Sequence, residues 1–175
     1  GIARALLVRG RDAPPLAAPP LDIAAWRALS VRSGVPVIEA ATVDRFVPQM
    51  LNYELIGGVD FRKGCYPGQE VVARSQYRGT IKRRMFLFDV DAEAAAGQEI
   101  FHDADPGQPA GLVVNAAPIP GTPTFTALVE VKLAALDGGS LHLASPQGPS
   151  LRRVALPYDV PLEAKRTGLE QRVRV

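Results

Sequence analysis

The chain has 175 residues, enough to bury a sizeable core in one domain or two small ones. Apolar residues make up 47% and charged residues 22%, as in ordinary globular proteins, and the net charge of +2 does not by itself call for an acidic partner. A single cysteine excludes an internal disulfide framework and a cysteine-built zinc or iron–sulfur site within this chain, and it fits a reducing, cytoplasmic setting.

Residues 2–8 are apolar enough for a buried strand, and residues 10–20, with four prolines, read as a loop. The first residue is not methionine, and this strand reads as entering from earlier chain; we expect the C-terminal part of a longer protein. Asp22 is placed to cap a helix running to Ser33, stopped by Gly34. Ile23, Trp26 and Leu29 recur at three-residue steps and are expected to form its buried stripe. Val35 to Ile38 is expected to be extended. Thr42 is expected to cap a short helix carrying Val43 and Phe46, and Pro48 to begin a turn through Leu51. Gly57-Gly58 breaks the pattern.

The segment Lys63-Gly64-Cys65-Tyr66-Pro67-Gly68-Gln69-Glu70 concentrates special residue types, the lone cysteine among them. Pro67 suits the first position of a helix reaching Tyr77 and ended by Gly79, because its missing N–H would be unpaired there in any case. Residues 83–90, 98–102, 110–117, 124–133, 140–144 and 151–156 read as short strands separated by Gly, Pro and Asp, a spacing that suggests a small antiparallel barrel. The expected class is thus α+β, with a mixed α/β region at 1–80, a barrel at 81–161 and a polar, disordered tail at 162–175. No apolar run approaches the roughly 20 residues of a membrane span, and no metal site is expected.

If residues 61–66 are extended, Lys63 and Cys65 share a face. An ammonium and a helix N-terminus both favour thiolate, which makes Cys65 a candidate nucleophile with Lys63 as its activator. The competing reading is a buried cysteine that packs as a small hydrophobe. Gly68 permits close approach of a ligand to the backbone, or simply serves a turn. The Gln69 amide can orient a polar heterocycle. Glu70 can hold a ligand amine or reach back to the helix start as half of a capping box. Tyr66 and Tyr77 can stack on a planar ring or merely pack. Residues 60–84 carry Arg62, Lys63, Arg74, Arg78, Lys82, Arg83 and Arg84 against Asp60 and Glu70, a local charge of +5 that suits a polyanion such as a polyglutamate tail or RNA, or else a solvated face.

Phe46-Val47-Pro48-Gln49-Met50-Leu51-Asn52, Gly57-Gly58-Val59, the run from Lys63 to Arg74, Tyr77-Arg78-Gly79 and Lys82-Arg83 together resemble the YgfZ-type folate-binding proteins, relatives of the glycine-cleavage aminomethyltransferase. The glycine-cleavage enzymes lack the cysteine signature. The resemblance spans residues 46–84. It implies a cloverleaf-like arrangement around a tetrahydrofolate site, followed by a small β-barrel. It further implies a role in making or maintaining iron–sulfur proteins, with an indirect link to tRNA through the enzymes that modify it. Carried over, Cys65 and Lys63 are the catalytic candidates, and Tyr66, Gly68, Gln69, Glu70 and Arg74 the folate-binding ones. The N-terminal half that supplies much of a folate pocket is expected to be missing. Two alternatives stand beside this reading. One is an aminomethyltransferase, which needs a carboxylate near the folate amine, with Glu70 and Glu54 as local candidates. The other is an RNA-binding module.

Overall fold

The computed structural model describes residues 7–61, 63–77 and 81–162, with Gln76 and Tyr77 described by their backbone alone. Most of the expected strand at 2–8, together with Arg62, Arg78, Gly79 and the tail beyond Leu162, lies outside the described residues; Leu7 and Val8 are exposed and in no strand.

Six strands form one antiparallel sheet: β1 (Arg83–Val90), β2 (Glu99–His102), β3 (Asp105–Pro118), β4 (Phe125–Lys132), β5 (Leu141–Leu143) and β6 (Arg152–Val154), ordered β5-β2-β3-β4-β1-β6. The sheet curls until its edges nearly meet. The Leu143 N–H donates to the Pro149 carbonyl at 2.9 Å and the Leu151 N–H to that of Leu141 at 2.8 Å, so the chain leading into β6 pairs with β5 while β6 itself pairs with β1. The six strands expected between residues 83 and 156 are all present, bounded by the Gly, Pro and Asp breaks that mark them in the sequence.

β1 is buried on both faces. Phe86, Phe88 and Val90 enter a core with Ile100, Val113, Val129 and Leu143 inside the curl, whereas Met85 and Leu87 enter a second core with Leu51, Val114, Ala117 and Leu128. Strand β3 serves both cores through a bulge: Val113 pairs with Val129 and Asn115 with Leu128, so Val114 is the extra residue and turns to the opposite side from Val113.

The second core is covered by helix α1 (Ile23–Arg32), capped by Asp22, whose carboxylate accepts from the Ala24 and Ala25 N–H groups. The expected stripe on α1 is corrected. Ile23 and Trp26 are 61% and 47% exposed, and Ala28 and Val31 are the buried pair. Two apolar rows run along this helix at compatible spacings, and the row with the small Ala28 lets the helix lie close to β3 and β4. Arg32 then reaches Asp89 of β1 at 2.8 and 3.1 Å. Thr42 ends the short 3-10 turn Ala40–Thr42 instead of starting a helix, since its buried hydroxyl is used on Glu39, accepting from its N–H and donating to its carbonyl. The turn expected from Pro48 through Leu51 is a 3-10 turn, closed by Asn52 in the left-handed region at φ 62°. The extended segment around Val37 is held by the Asn115 side chain, which accepts from the Val37 N–H at 2.9 Å and donates to its carbonyl at 2.8 Å.

Helix α2 (Gln69–Tyr77) starts two residues later than expected. Pro67 and Gly68 belong to the preceding turn, where Gly68 adopts φ +77°, a conformation a side-chain-bearing residue resists. No helix among the described residues is long and apolar enough to cross a membrane.

Candidate functional site

The motif forms an irregular loop, residues 63–68, running straight into α2. The Gln69 N–H donates to the Tyr66 carbonyl at 3.2 Å and the Val71 N–H to the Gly68 carbonyl at 3.2 Å, so turn and helix form one hydrogen-bonded unit. Cys65 is a free thiol and exposed, as are Lys63, Gly68, Glu70 and Arg74, while Tyr66 and Gln69 are half-buried. Within this chain Cys65 thus does not pack as a small hydrophobe. Lys63 does not simply run alongside the thiol: its Nζ lies 4.9 Å from the centroid of the Tyr66 ring, a cation–π arrangement. With the helix beginning at Gln69, Cys65 sits a full turn upstream of the dipole's positive end, where that field has weakened.

The loop and the first turn of α2 present a thiol, an ammonium and a carboxylate to solvent, with the half-buried Gln69 amide beside them. These are groups suited to a polar, flat ligand, yet their exposure means they supply one wall and no enclosure. The described residues by themselves do not fit around a tetrahydrofolate.

Behind the loop lies a buried polar network that sequence reasoning missed. Gln49, in the Pro48–Leu51 turn, donates through Nε2 to the Val72 carbonyl of α2 at 2.8 Å. Asn52 Nδ2 donates to the Met85 carbonyl at 2.7 Å. Arg84, 5% exposed, donates through Nη1 to the Gln49 carbonyl at 2.9 Å and forms an ion pair with Glu54. Gln49 Oε1, Asn52 Oδ1 and Glu54 Oε2 have no hydrogen-bond partner among the described residues. The sequence held only a faint signal for it, the two amides Gln49 and Asn52 within the otherwise apolar Phe46–Asn52 run.

The basic stretch is partly neutralised. Arg84 is matched by Glu54, and Arg83 by Glu130 at 2.7 and 2.9 Å, which leaves Lys63, Arg74 and Lys82 as its exposed cations among the described residues. Glu54, once a candidate carboxylate for folate chemistry, is engaged by Arg84 and buried beside it. A cleft of about 320 Å³ lies next to this network, lined by Phe46, Met50, Arg83, Glu99 and Glu130 among others. Burial raises the Glu130 carboxyl above its usual range, with Arg83 and then Lys132 pulling the other way. No group of three or more His, Cys, Asp or Glu side chains suited to a metal occurs among the described residues.

These features define a small, curled antiparallel sheet bearing an exposed cysteine loop that is buttressed from behind. No family model matches the chain. It is 47% identical over 72 residues to the tRNA-modifying protein YgfZ of Edwardsiella ictaluri (strain 93-146), a stretch covering 41% of this chain and 22% of that protein. The chain thus carries a YgfZ-type segment while spanning well under half of that relative's length.

Proposed function

We propose that this chain supplies the cysteine-bearing part of a tetrahydrofolate-binding accessory protein that supports the biogenesis or repair of iron–sulfur enzymes, those that modify tRNA among them. The observation that supports this most directly is the exposed Lys63–Glu70 loop on a chain similar to a tRNA-modifying protein. In this reading residues 1–80 belong to a cloverleaf-like folate-binding arrangement and 81–161 to its terminal barrel. Tetrahydrofolate would be held between the motif wall, through Tyr66, Gly68, Gln69, Glu70 and Arg74, and further chain of the kind the longer relative possesses. With one cysteine here, any cluster is carried by a partner, and Cys65 acts on that partner as a nucleophile or redox thiol.

The aminomethyltransferase reading is weakened because Glu54 is committed to Arg84, leaving only the exposed Glu70 as a local carboxylate. The RNA-binding reading loses two of its cations to ion pairs. The test is Cys65→Ala in the full-length protein. Because the side chain is exposed in this chain, the unfolding free energy is expected to stay within about 0.5 kcal/mol of wild type, while support of iron–sulfur tRNA-modifying enzymes falls to the level of a strain lacking the protein. Undiminished activity of those enzymes would refute the proposal. Tetrahydrofolate titration by calorimetry on the same protein tests the cofactor separately.

A further inference from the structure

The loop that bears Cys65 is attached to helix α2, and α2 is attached to the rest of the molecule through a buried amide. Gln49 is 1% exposed. Its backbone carbonyl accepts from Arg84 of β1 at 2.9 Å, and its side chain donates to the Val72 carbonyl at 2.8 Å. One residue therefore spans from a core strand of the sheet to the motif helix. Among the described side chains of α2, Val72 is the buried apolar one, at 8% exposure, while Val71 beside it is 51% exposed. Apolar burial holds such a helix down but carries no direction. A hydrogen bond does carry direction, because the donor must lie near the carbonyl plane.

The side chain is poorly chosen for packing alone. Gln49 Oε1 is buried with no hydrogen-bond partner among the described residues, a cost that Leu or Met at the same place would avoid. What Gln49 adds over an apolar residue is the oriented N–H toward α2. Because the Tyr66–Gln69 and Gly68–Val71 hydrogen bonds join loop to helix, the rotation of α2 sets where the loop's side chains stand.

We propose that Gln49 is a positioning residue: its amide fixes the orientation of α2 and thereby the presentation of Lys63, Cys65 and Tyr66. The inference concerns the same loop as the proposed function, but its test reads geometry and not iron–sulfur chemistry, so the two can fail separately.

The test uses the whole chain with Gln49→Met, which keeps length and loses the donor, and Gln49→Glu, which keeps shape and turns an acceptor toward the Val72 carbonyl. Three quantities are read: amide exchange across residues 69–77 relative to β1 and β4, the upfield ring-current shift of the Lys63 ε-protons over Tyr66, and the rate at which iodoacetamide alkylates Cys65. In both variants exchange in α2 is expected to accelerate about fivefold to tenfold, the equivalent of one hydrogen bond, while β1 and β4 keep their protection. The Lys63 shift should collapse toward its unstructured value, and the alkylation rate should change at least about twofold with it. Unaltered α2 exchange with an unaltered Lys63 shift in both variants would overturn the proposal. So would loss of protection in β1 and β4 equal to that in α2, since Gln49 would then be a general core residue. Where Gln49→Met mispacks, the near-isosteric Gln49→Glu decides.

Discussion

Gly34 shows how much one missing side chain can matter. It follows α1 at φ +69°, and a Cβ built there would stand 2.7 Å from Tyr158 Cε1 and 2.9 Å from Leu156 Cδ2. The Tyr158 hydroxyl donates to the Gly34 carbonyl at 2.7 Å, and burial raises that phenol above its usual pKa. Two independent penalties thus meet at one residue: a left-handed backbone and an occupied space. Gly34→Ala is expected to destabilise the protein by about 2 kcal/mol or more in urea denaturation. A loss below about 0.5 kcal/mol would mean that the C-terminal stretch bearing Tyr158 yields freely. The sequence marked Gly34 as a helix stop. Its second duty was invisible, because Tyr158 lies 124 positions away. The loop bearing Cys65 is the reverse case: it is one continuous run in which Lys63 lies over Tyr66 three positions on, so it stood out in the sequence as a run of special residues.

Among elements, the joint between the Pro48–Leu51 turn and β1 depends on a buried pair. The side chains of Arg84 and Glu54 are only 6% and 8% exposed, so neither charge can fall back on water if its partner is removed. Arg84→Met is expected to cost about 3–5 kcal/mol, while the double change Arg84→Met, Glu54→Leu should recover most of that loss. Chemical denaturation of the two variants reads this directly, and an Arg84→Met protein as stable as wild type would contradict it. The network was not legible beforehand because its links connect residues 23 to 35 positions apart: Gln49 to Val72, Glu54 to Arg84, Gln49 to Arg84. The strands were legible because their signal is local. The face of α1 was misread for a related reason. Ile23, Trp26 and Leu29 make as good a helical row as Ala28 and Val31, and only the distance to β3 and β4 chooses between them. At α2, Pro67 had the right chemistry for a first helical residue, but Gly68 at φ +77° takes the turn and moves the start to Gln69.

At the scale of the whole molecule, the curled sheet has two short edge strands, and one of them, β6, is tied to its neighbours by Asp91. That carboxylate, just past β1, takes two hydrogen bonds from Arg152 at the start of β6, at 2.6 and 3.0 Å, and one from Thr124 ahead of β4 at 2.6 Å. Three strands are thereby joined through one acid. The Arg152 and Thr124 hydrogen bonds hold the Asp91 carboxyl down to about 2 from its ordinary 3.8. A carboxyl depressed in the folded state stabilises above its unfolded pKa, and that contribution is lost as pH falls through the folded value, here between about 3.8 and about 2. Both side chains of the pair are exposed, so salt weakens it. In an NMR titration the Asp91 carboxyl is expected to show a midpoint near 2, and Arg152→Ala should carry it most of the way back toward 3.8, with Thr124 retaining a smaller share. The difference in urea midpoint between wild type and Arg152→Ala should shrink as pH is lowered from 5 to 2. A urea midpoint that ignores Arg152→Ala would show that the β1–β6 pairing holds without this pair and rests on the backbone pairing of Leu87–Asp89 with Arg152–Val154 alone.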